Sequence, residues 1–278
     1  MGVFDNAKIV KINNTEVDSI ITADGATIYQ KPTVITINES SVSFGKSSKK
    51  WLNTTGNVVI NWGDGSTNTI NNPTTSLSHT YTDGKQSHNI VFLGKVTSLG
   101  KNCFYNCTGL TSITIPLSVT SLENDCFNGC ARLTSITIPS SVTSLQDSCF
   151  RNCTGLTSIT IPSSVTSLGY NCFSSCTSLT SVVIPNSITA LEQQCFWGCT
   201  GLTSVTIPSS VTSLGFQCFS SCTSLNTYQL YWTNNNIITY DSSKMPNNTN
   251  TKFYVPKGQK TNYVNKGYPS AKVVERSS

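Results

Sequence analysis

The chain has 278 residues, only 11 % of them charged, and a formal net charge of +5. Ser, Thr and Asn supply most of its polarity, so a neutral polar surface is expected, as on an extracellular or virion-borne protein. No apolar run approaches the roughly 18 residues of a membrane span, and no charged stretch, apolar core and cleavage site follow Met1. Neither membrane insertion nor a secretory signal is therefore expected.

Residues 1–31 read as a small β-meander, with strands near 8–12, 17–22 and 26–30 and turns at Asn13-Asn14 and Asp24-Gly25. The segment resembles short N-terminal modules of phage-type structural proteins, which implies an attachment module that meets a virion protein. In residues 32–95, Val58, Ile60 and Trp62 alternate as a strand, and Gly63-Asp64-Gly65 is a tight turn. Leu77, His79 and Tyr81 alternate again, and Asp83-Gly84 turns into Ile90 and Phe92. The strings WGDGS and HTYTDG resemble the PKD-type β-sandwich, which implies a trimmed sandwich here. Asp64 and Asp83 are candidates to touch calcium, although turn formation is the preferred role of both.

From residue 96 to residue 225 one 23-residue unit is repeated six times without insertion, marked by Cys-Phe at Cys103, Cys126, Cys149, Cys172, Cys195 and Cys218. A fixed period carrying spaced leucines is the sign of a stacked solenoid, because no single unit can bury its apolar side alone. In the unit that starts at Leu133, Leu133, Ile136 and Ile138 alternate with polar residues as in a half-buried strand. Pro139 ends that strand, Val142 and Leu145 turn inward, and residues 146–153 are expected to form one or two helical turns. Cys149, Phe150 and Cys153 would then face the interior, with the cysteines on one helix face. The strands should pair in parallel at roughly 4.8 Å per unit.

These units resemble the BspA-like branch of the leucine-rich repeats through the IPxSV corner, the Phe and the second Cys. They depart from that branch in having Cys where a small Ala usually precedes the Phe. The fold class is thus mainly β: a leucine-rich-repeat solenoid preceded by a sandwich and a meander, and closed by a C-terminal cap over residues 226–278.

Every cysteine belongs to a CFxxC pair: Cys103 and Cys107, Cys126 and Cys130, Cys149 and Cys153, Cys172 and Cys176, Cys195 and Cys199, Cys218 and Cys222. They can be buried small apolar residues or a ladder of disulfides between positions four apart. Metal binding is disfavoured, since close CxxC knuckles and histidines are missing from the array. The reading is structural cysteine with the redox state open, and no metal or cofactor is assigned.

After Leu225 the repeat decays. The string KFYVPKGQKTNYVNKGYPSAKVVE resembles the closing segment of BspA-like arrays, as an exposed last edge requires a cover. The polar stretch 234–250 is expected to be a mobile loop. Residues 102–226 hold two Arg and four acids, whereas residues 227–278 hold six Lys and one Arg against two acids. That basic end lacks the interleaved aromatics of a nucleic-acid binder, so no nucleic-acid partner is expected and a solvated cap is preferred.

The repeats contain no histidine, and Glu123, Asp125, Asp147 and Glu192 form no paired set. No nucleophile with a base and an orienting group is legible, so the chain is not expected to be an enzyme. Two columns vary between units: one runs through Tyr170, Gln193 and Phe216, the other through Tyr105, Arg151 and Trp197. Tyr170, Trp197 and Phe216, with Arg151 and Tyr105 beside them, are the candidate ligand-binding residues. They either form an exposed recognition patch or pack on the C-terminal segment or a subunit, with Tyr228, Tyr231 and Trp232 as a second aromatic set. The resemblance implies adhesion at a surface: binding of a cell-surface glycan or protein by a virion or extracellular protein. The rival is a scaffold or spacer without a specific ligand. The sequence does not specify an oligomeric state.

Overall fold

In the computed structural model, each repeat is one coil of a stack. The structure describes residues 11–12, 15–16, 19–21, 27–30, 33–37, 41–44, 52–62, 64–70, 77–80, 88–246 and 248–277. In the coil that starts at Leu133, Leu133, Ile136 and Ile138 are buried while Thr134, Ser135 and Thr137 are exposed. The Pro139 carbonyl accepts the N–H of Val142 at 3.0 Å, which closes the corner. Val142 and Leu145 are buried beyond it. The Ser141 hydroxyl donates to the Val119 carbonyl of the preceding coil at 2.6 Å. Ser118, Ser164 and Ser187 make the same bond to Val96, Val142 and Val165. This contact explains the Ser of the IPxSV corner: in four coils its hydroxyl pins the corner to the one before it, whereas the buried Ser210 hydroxyl has no partner among the described residues.

Residues 146–153 are not helical, which corrects the expectation from the sequence. Ser148 and Asn152 adopt left-handed backbone, with φ of 55° and 57°. The N–H groups of Cys149, Arg151 and Cys153 close turns on Gln146, Ser148 and Phe150. Those of Ser148, Phe150 and Asn152 instead donate to the carbonyls of Tyr170, Cys172 and Ser174 in the next coil, each at 2.8 Å. A helix would spend all these donors within itself. Alternating them builds a ladder between coils and still turns Cys149, Phe150 and Cys153 inward, all of them buried.

Inside the stack, Phe104, Phe127, Phe150, Phe173, Phe196 and Phe219 form one column of nearly parallel rings, with successive centroids 5.2 to 5.4 Å apart. Truncating such a buried ring typically costs about 3–5 kcal/mol. Two parallel ladders run along the coils. One aligns Leu99, Leu122, Leu145 and Leu168, and continues as Ala190–Leu191 beside Ser213–Leu214. The other joins Ser181–Val183, Ser204–Ile207, Thr227–Leu230, Lys252–Val255 and Val273–Glu275 into a five-stranded sheet.

The parallel sheet therefore runs on through residues 226–278, where the sequence repeat has decayed. Tyr228, Trp232, Phe253, Tyr263 and Tyr268 are buried there. The indole of Trp232 donates to the Val211 carbonyl at 2.6 Å, and the Tyr263 hydroxyl donates to the Trp232 carbonyl at 3.0 Å. The described residues of 234–250 are not the loose polar loop that their composition implies. Ile237 and Met245 are buried, and the Tyr240 N–H donates to the Lys266 carbonyl at 2.8 Å.

At the other end, the strand His88–Leu99 pairs antiparallel with Thr33–Ile37 and Leu52–Asn61. Its last residues, Ser98 and Leu99, pair in parallel with Ser121 and Leu122. The boundary expected between residues 95 and 96 thus falls inside one continuous strand. In the first segment, Lys11–Ile12 pairs with Thr15–Glu16 and Ser19–Ile21 pairs with Thr27–Gln30, both antiparallel.

The left-handed positions give a stability test. Ser175 has a φ of 60°, while Gly129 and Gly198 hold the equivalent place in two other coils. A β-branched side chain is strained in that conformation by about 1–2 kcal/mol. Ser175→Val is expected to lower the melting temperature measured by circular dichroism, and Ser175→Gly to leave it unchanged or raise it.

Candidate recognition surfaces

The variable columns lie on the turn side of the stack. Tyr170 is 49 % exposed and Phe216 is 54 % exposed, two coils apart on the same column. Both follow a glycine and precede a left-handed residue, Asn171 and Gln217. The backbone holds them firmly: the Tyr170 N–H donates to Asp147 Oδ1 at 2.9 Å, and its carbonyl accepts the Ser148 N–H. The Phe216 carbonyl accepts the Gln194 N–H at 3.0 Å. Trp197, from the coil between them, is half-buried, as is Tyr105, while Arg151 is exposed. No ring contact among the described residues involves Tyr170, Trp197 or Phe216. The structure thus brings the three onto one side of consecutive coils without stacking them on each other. Tyr170 and Phe216 are not buried under the C-terminal segment.

In the second aromatic set, Tyr228 and Trp232 are fully buried, and only Tyr231 is exposed, at 45 %. The Arg276 guanidinium lies 3.7 Å from the centroid of the Tyr231 ring, a cation–π contact. No periodicity links these two residues; the register of the decayed rungs brings them together. Val183 is 64 % exposed on the outer face of the same sheet. Its signal was legible, since valine stands there in place of the threonine of the other ITIP strands.

All twelve cysteines are free and buried. The second thiol of a coil has a definite partner: Cys130, Cys153, Cys176, Cys199 and Cys222 donate to the Phe carbonyl one coil back at 3.1 to 3.2 Å. Burial pushes the Cys176 thiol up to about 12 and raises Cys126, Cys149, Cys172, Cys195 and Cys218 by the same cause. These groups stay protonated at neutral pH and are poor nucleophiles. Among the described residues, no group of three or more His, Cys, Asp and Glu is placed to hold a metal ion.

Near the N-terminal end, Asp64 has the turn-forming role. Its Oδ1 accepts the N–H and the hydroxyl of Ser66 at 2.9 and 2.7 Å, and its Oδ2 lies 2.7 Å from His79 Nε2. The His79 ring stacks on buried Trp62 with centroids 4.7 Å apart. The Ser66 hydroxyl, aided by its N–H and by His79 against the opposing effect of burial, holds the Asp64 carboxyl well below the usual carboxylate range. Asp83, the other calcium candidate, lies outside the described residues. Among the described residues, no helix is long and apolar enough to cross a membrane.

A stack of closed coils carrying two parallel ladders and a central Phe column defines a leucine-rich-repeat solenoid. The model of the BspA type leucine rich repeat region matches residues 74–203 and 152–263, more than half of the chain, and the chain belongs to that family. A leucine rich cell surface protein from Faecalibacterium prausnitzii is 36% identical with a TM-score of 0.44, over 45% of this chain and 33% of that one. The T. pallidum leucine rich repeat protein is 24% identical with a TM-score of 0.50, over 70% of this chain and 82% of that one. A leucine-rich repeat protein from Bacteroides ovatus is 25% identical with a TM-score of 0.42, over 64% and 56% of the two chains. The chain thus spans 33% of the length of the Faecalibacterium protein. No curated protein matches its sequence.

Two tests follow from these environments. Protein denatured without reductant should titrate close to twelve thiols with a chromogenic disulfide, and native protein should react far more slowly; a denatured count near zero would establish disulfides. Asp64 has its pKa lowered by folding, so its stabilisation is full above the unfolded value of about 4 and is lost as the pH falls toward the folded one. The gap in melting temperature between the parent protein and Asp64→Asn should therefore be wide at pH 6 and narrow progressively below about pH 4. A gap independent of pH would show that the carboxylate charge does not matter.

Proposed function

We propose that the chain is a non-catalytic recognition protein that works at a virion or extracellular surface and binds a cell-surface glycan or protein through the turn side of its coils. The observation that carries this reading is the exposure of Tyr170 and Phe216 on rigid backbone, in a column that is otherwise polar or charged. Exposed aromatic anchors concentrate binding energy, and coil stacking makes no use of these side chains. Membership of the BspA-type family supports a surface role, since the family resemblance implies adhesion. The PKD-like reading of residues 32–95 and the phage-type reading of residues 1–31 belong to the same proposal: they would join the solenoid to its carrier.

The test pairs Tyr170→Ser with Phe216→Ser in one protein, and scores binding to a glycan array and to whole cells. Attachment should fall by about 2 kcal/mol or more per lost anchor, while the melting temperature changes little. Trp197→Ser, at a half-buried position, should weaken attachment and also lower stability somewhat. Unchanged attachment in the double variant would favour the spacer role over recognition.

A further inference from the structure

The outer face of the five-stranded parallel sheet changes its chemistry along the stack. In the early coils, bridges align Thr114, Thr137 and Thr160 on this face. Further along, the same row reads Val183, Thr206, Gln229, Tyr254 and Val274. The row beside it runs from Ser181 and Ser204 through Thr227 to Lys252. At its C-terminal end, a uniform hydroxyl surface has thus become aromatic and basic.

Three features of that end point to an anionic sugar polymer. First, the charge of Arg276 meets only neutral acceptors: it donates to the carbonyls of Leu230 and Tyr254 and to Gln229 Oε1. These bonds fix the guanidinium over Tyr231 and leave its charge without a carboxylate partner among the described residues. Second, the acids of residues 227–278 are already engaged. Asp241 holds Ser243 and Lys244, and Glu275 accepts the Lys260 N–H at 2.8 Å. Lys252, the first residue of the strand Lys252–Val255, and Lys257, two residues past its end, are exposed and make no ion pair among the described residues. Third, the exposed Tyr231 directly follows the strand Thr227–Leu230, whose alternate residues Thr227 and Gln229, with Thr206 paired to Gln229, offer neutral groups suited to hydroxyls. A nucleic acid would call for several stacking platforms along a basic groove, whereas this surface offers one exposed ring with scattered cations.

We propose that this sheet face binds a carboxylated polysaccharide, with a pyranose ring against Tyr231 and its carboxylates drawn by Lys252, Lys257 and Arg276. The surface shares no residue with the turn-side pair Tyr170 and Phe216, so it stands or falls independently of that site.

The experiment measures binding of the full chain to immobilised polygalacturonate, to the same polymer with its carboxylates methyl-esterified, and to double-stranded DNA. Polygalacturonate should bind in a salt-sensitive manner, and the ester at least about tenfold more weakly. Tyr231→Ala, and separately Lys252→Gln with Lys257→Gln, should each weaken polygalacturonate binding by about tenfold at an unchanged melting temperature. The Tyr170→Ser and Phe216→Ser pair should bind it as the parent protein does. The lysine pair keeps the test decisive if the tyrosine variant proves unstable, because both lysine side chains are exposed. No binding to polygalacturonate, equal binding to the ester, or no loss in the lysine variant would overturn the proposal. Tighter binding to DNA than to polygalacturonate would also overturn it and assign the basic surface to nucleic acid.

Discussion

Half of the amide donors in each turn segment have no acceptor within their own coil. The N–H groups of Phe104, Phe127, Phe150, Phe173 and Phe196 all donate to a cysteine carbonyl one coil on, at 2.8 to 2.9 Å. An unpaired buried amide costs about 1–3 kcal/mol, and this debt recurs several times per coil. A lone coil therefore leaves both its backbone groups and its apolar side unsatisfied, and only a neighbour in the same register relieves both. The strict 23-residue period follows, since one inserted residue would shift every donor off its acceptor. The cysteines fit the same constraint. From Cys130 onward the second thiol of each pair reaches back to a Phe carbonyl that already accepts an N–H from its own coil, so a small side chain with a weak donor fits that place.

The features that repeat were legible from the sequence. Period, inward positions and the IPxSV corner could all be read from the alternation in LTSITIP and the spacing of Val142, Leu145, Cys149 and Cys153. The path between those inward residues could not. Two cysteines four apart fit a helix face and a chain of overlapping turns equally well, and the deciding feature is the left-handed backbone at Ser148 and Asn152. The hints are residue types that tolerate such backbone: Asn102, Asp125 and Asn171 at the first of those positions, and Asn106, Gly129, Asn152 and Gly198 at the second. Composition misled at residues 234–250, where abundant Asn and Ser hid the buried anchors Ile237 and Met245. Tyr170 and Phe216 stood out as variable aromatics because their neighbours in the column are polar. The Tyr231–Arg276 contact had no such background, as it joins rungs whose lengths no longer match the repeat.

Both ends of the solenoid obey the rule that governs its middle. At the N-terminal end the strand His88–Leu99 carries an antiparallel sheet on one stretch and the first parallel rung on its last residues, so the array starts on a template already formed. At the C-terminal end the helix Lys260–Asn265 and the ring cluster of Tyr240, Phe253, Tyr263 and Tyr268 cover the last coils. Large aromatic rings do there what Leu, Ile and Phe do within the coils. This is why the sheet outlasts its consensus: covering an end needs apolar volume and backbone partners, not the repeated residues themselves.

The same division of labour bears on function. Because each coil is held by its inward side chains and by backbone ladders, outward positions carry little of the stability, and surface substitutions away from special features usually change it by less than about 0.5 kcal/mol. Most outward positions of the coils are polar: Ser and Thr on the sheet face, and Lys101, Asn124, Asp147 and Gln193 in the turn-side column of Tyr170 and Phe216. Leu117, Tyr170, Val183, Phe216 and Tyr231 depart from that background at exposed places. The cost of exposing them to water is returned within the chain only in part, by the Arg276 guanidinium over the Tyr231 ring. On the readings proposed above, contact with a partner returns the rest of it on the turn side for Tyr170 and Phe216, and on the sheet face for Tyr231, whose ring Arg276 already holds in place.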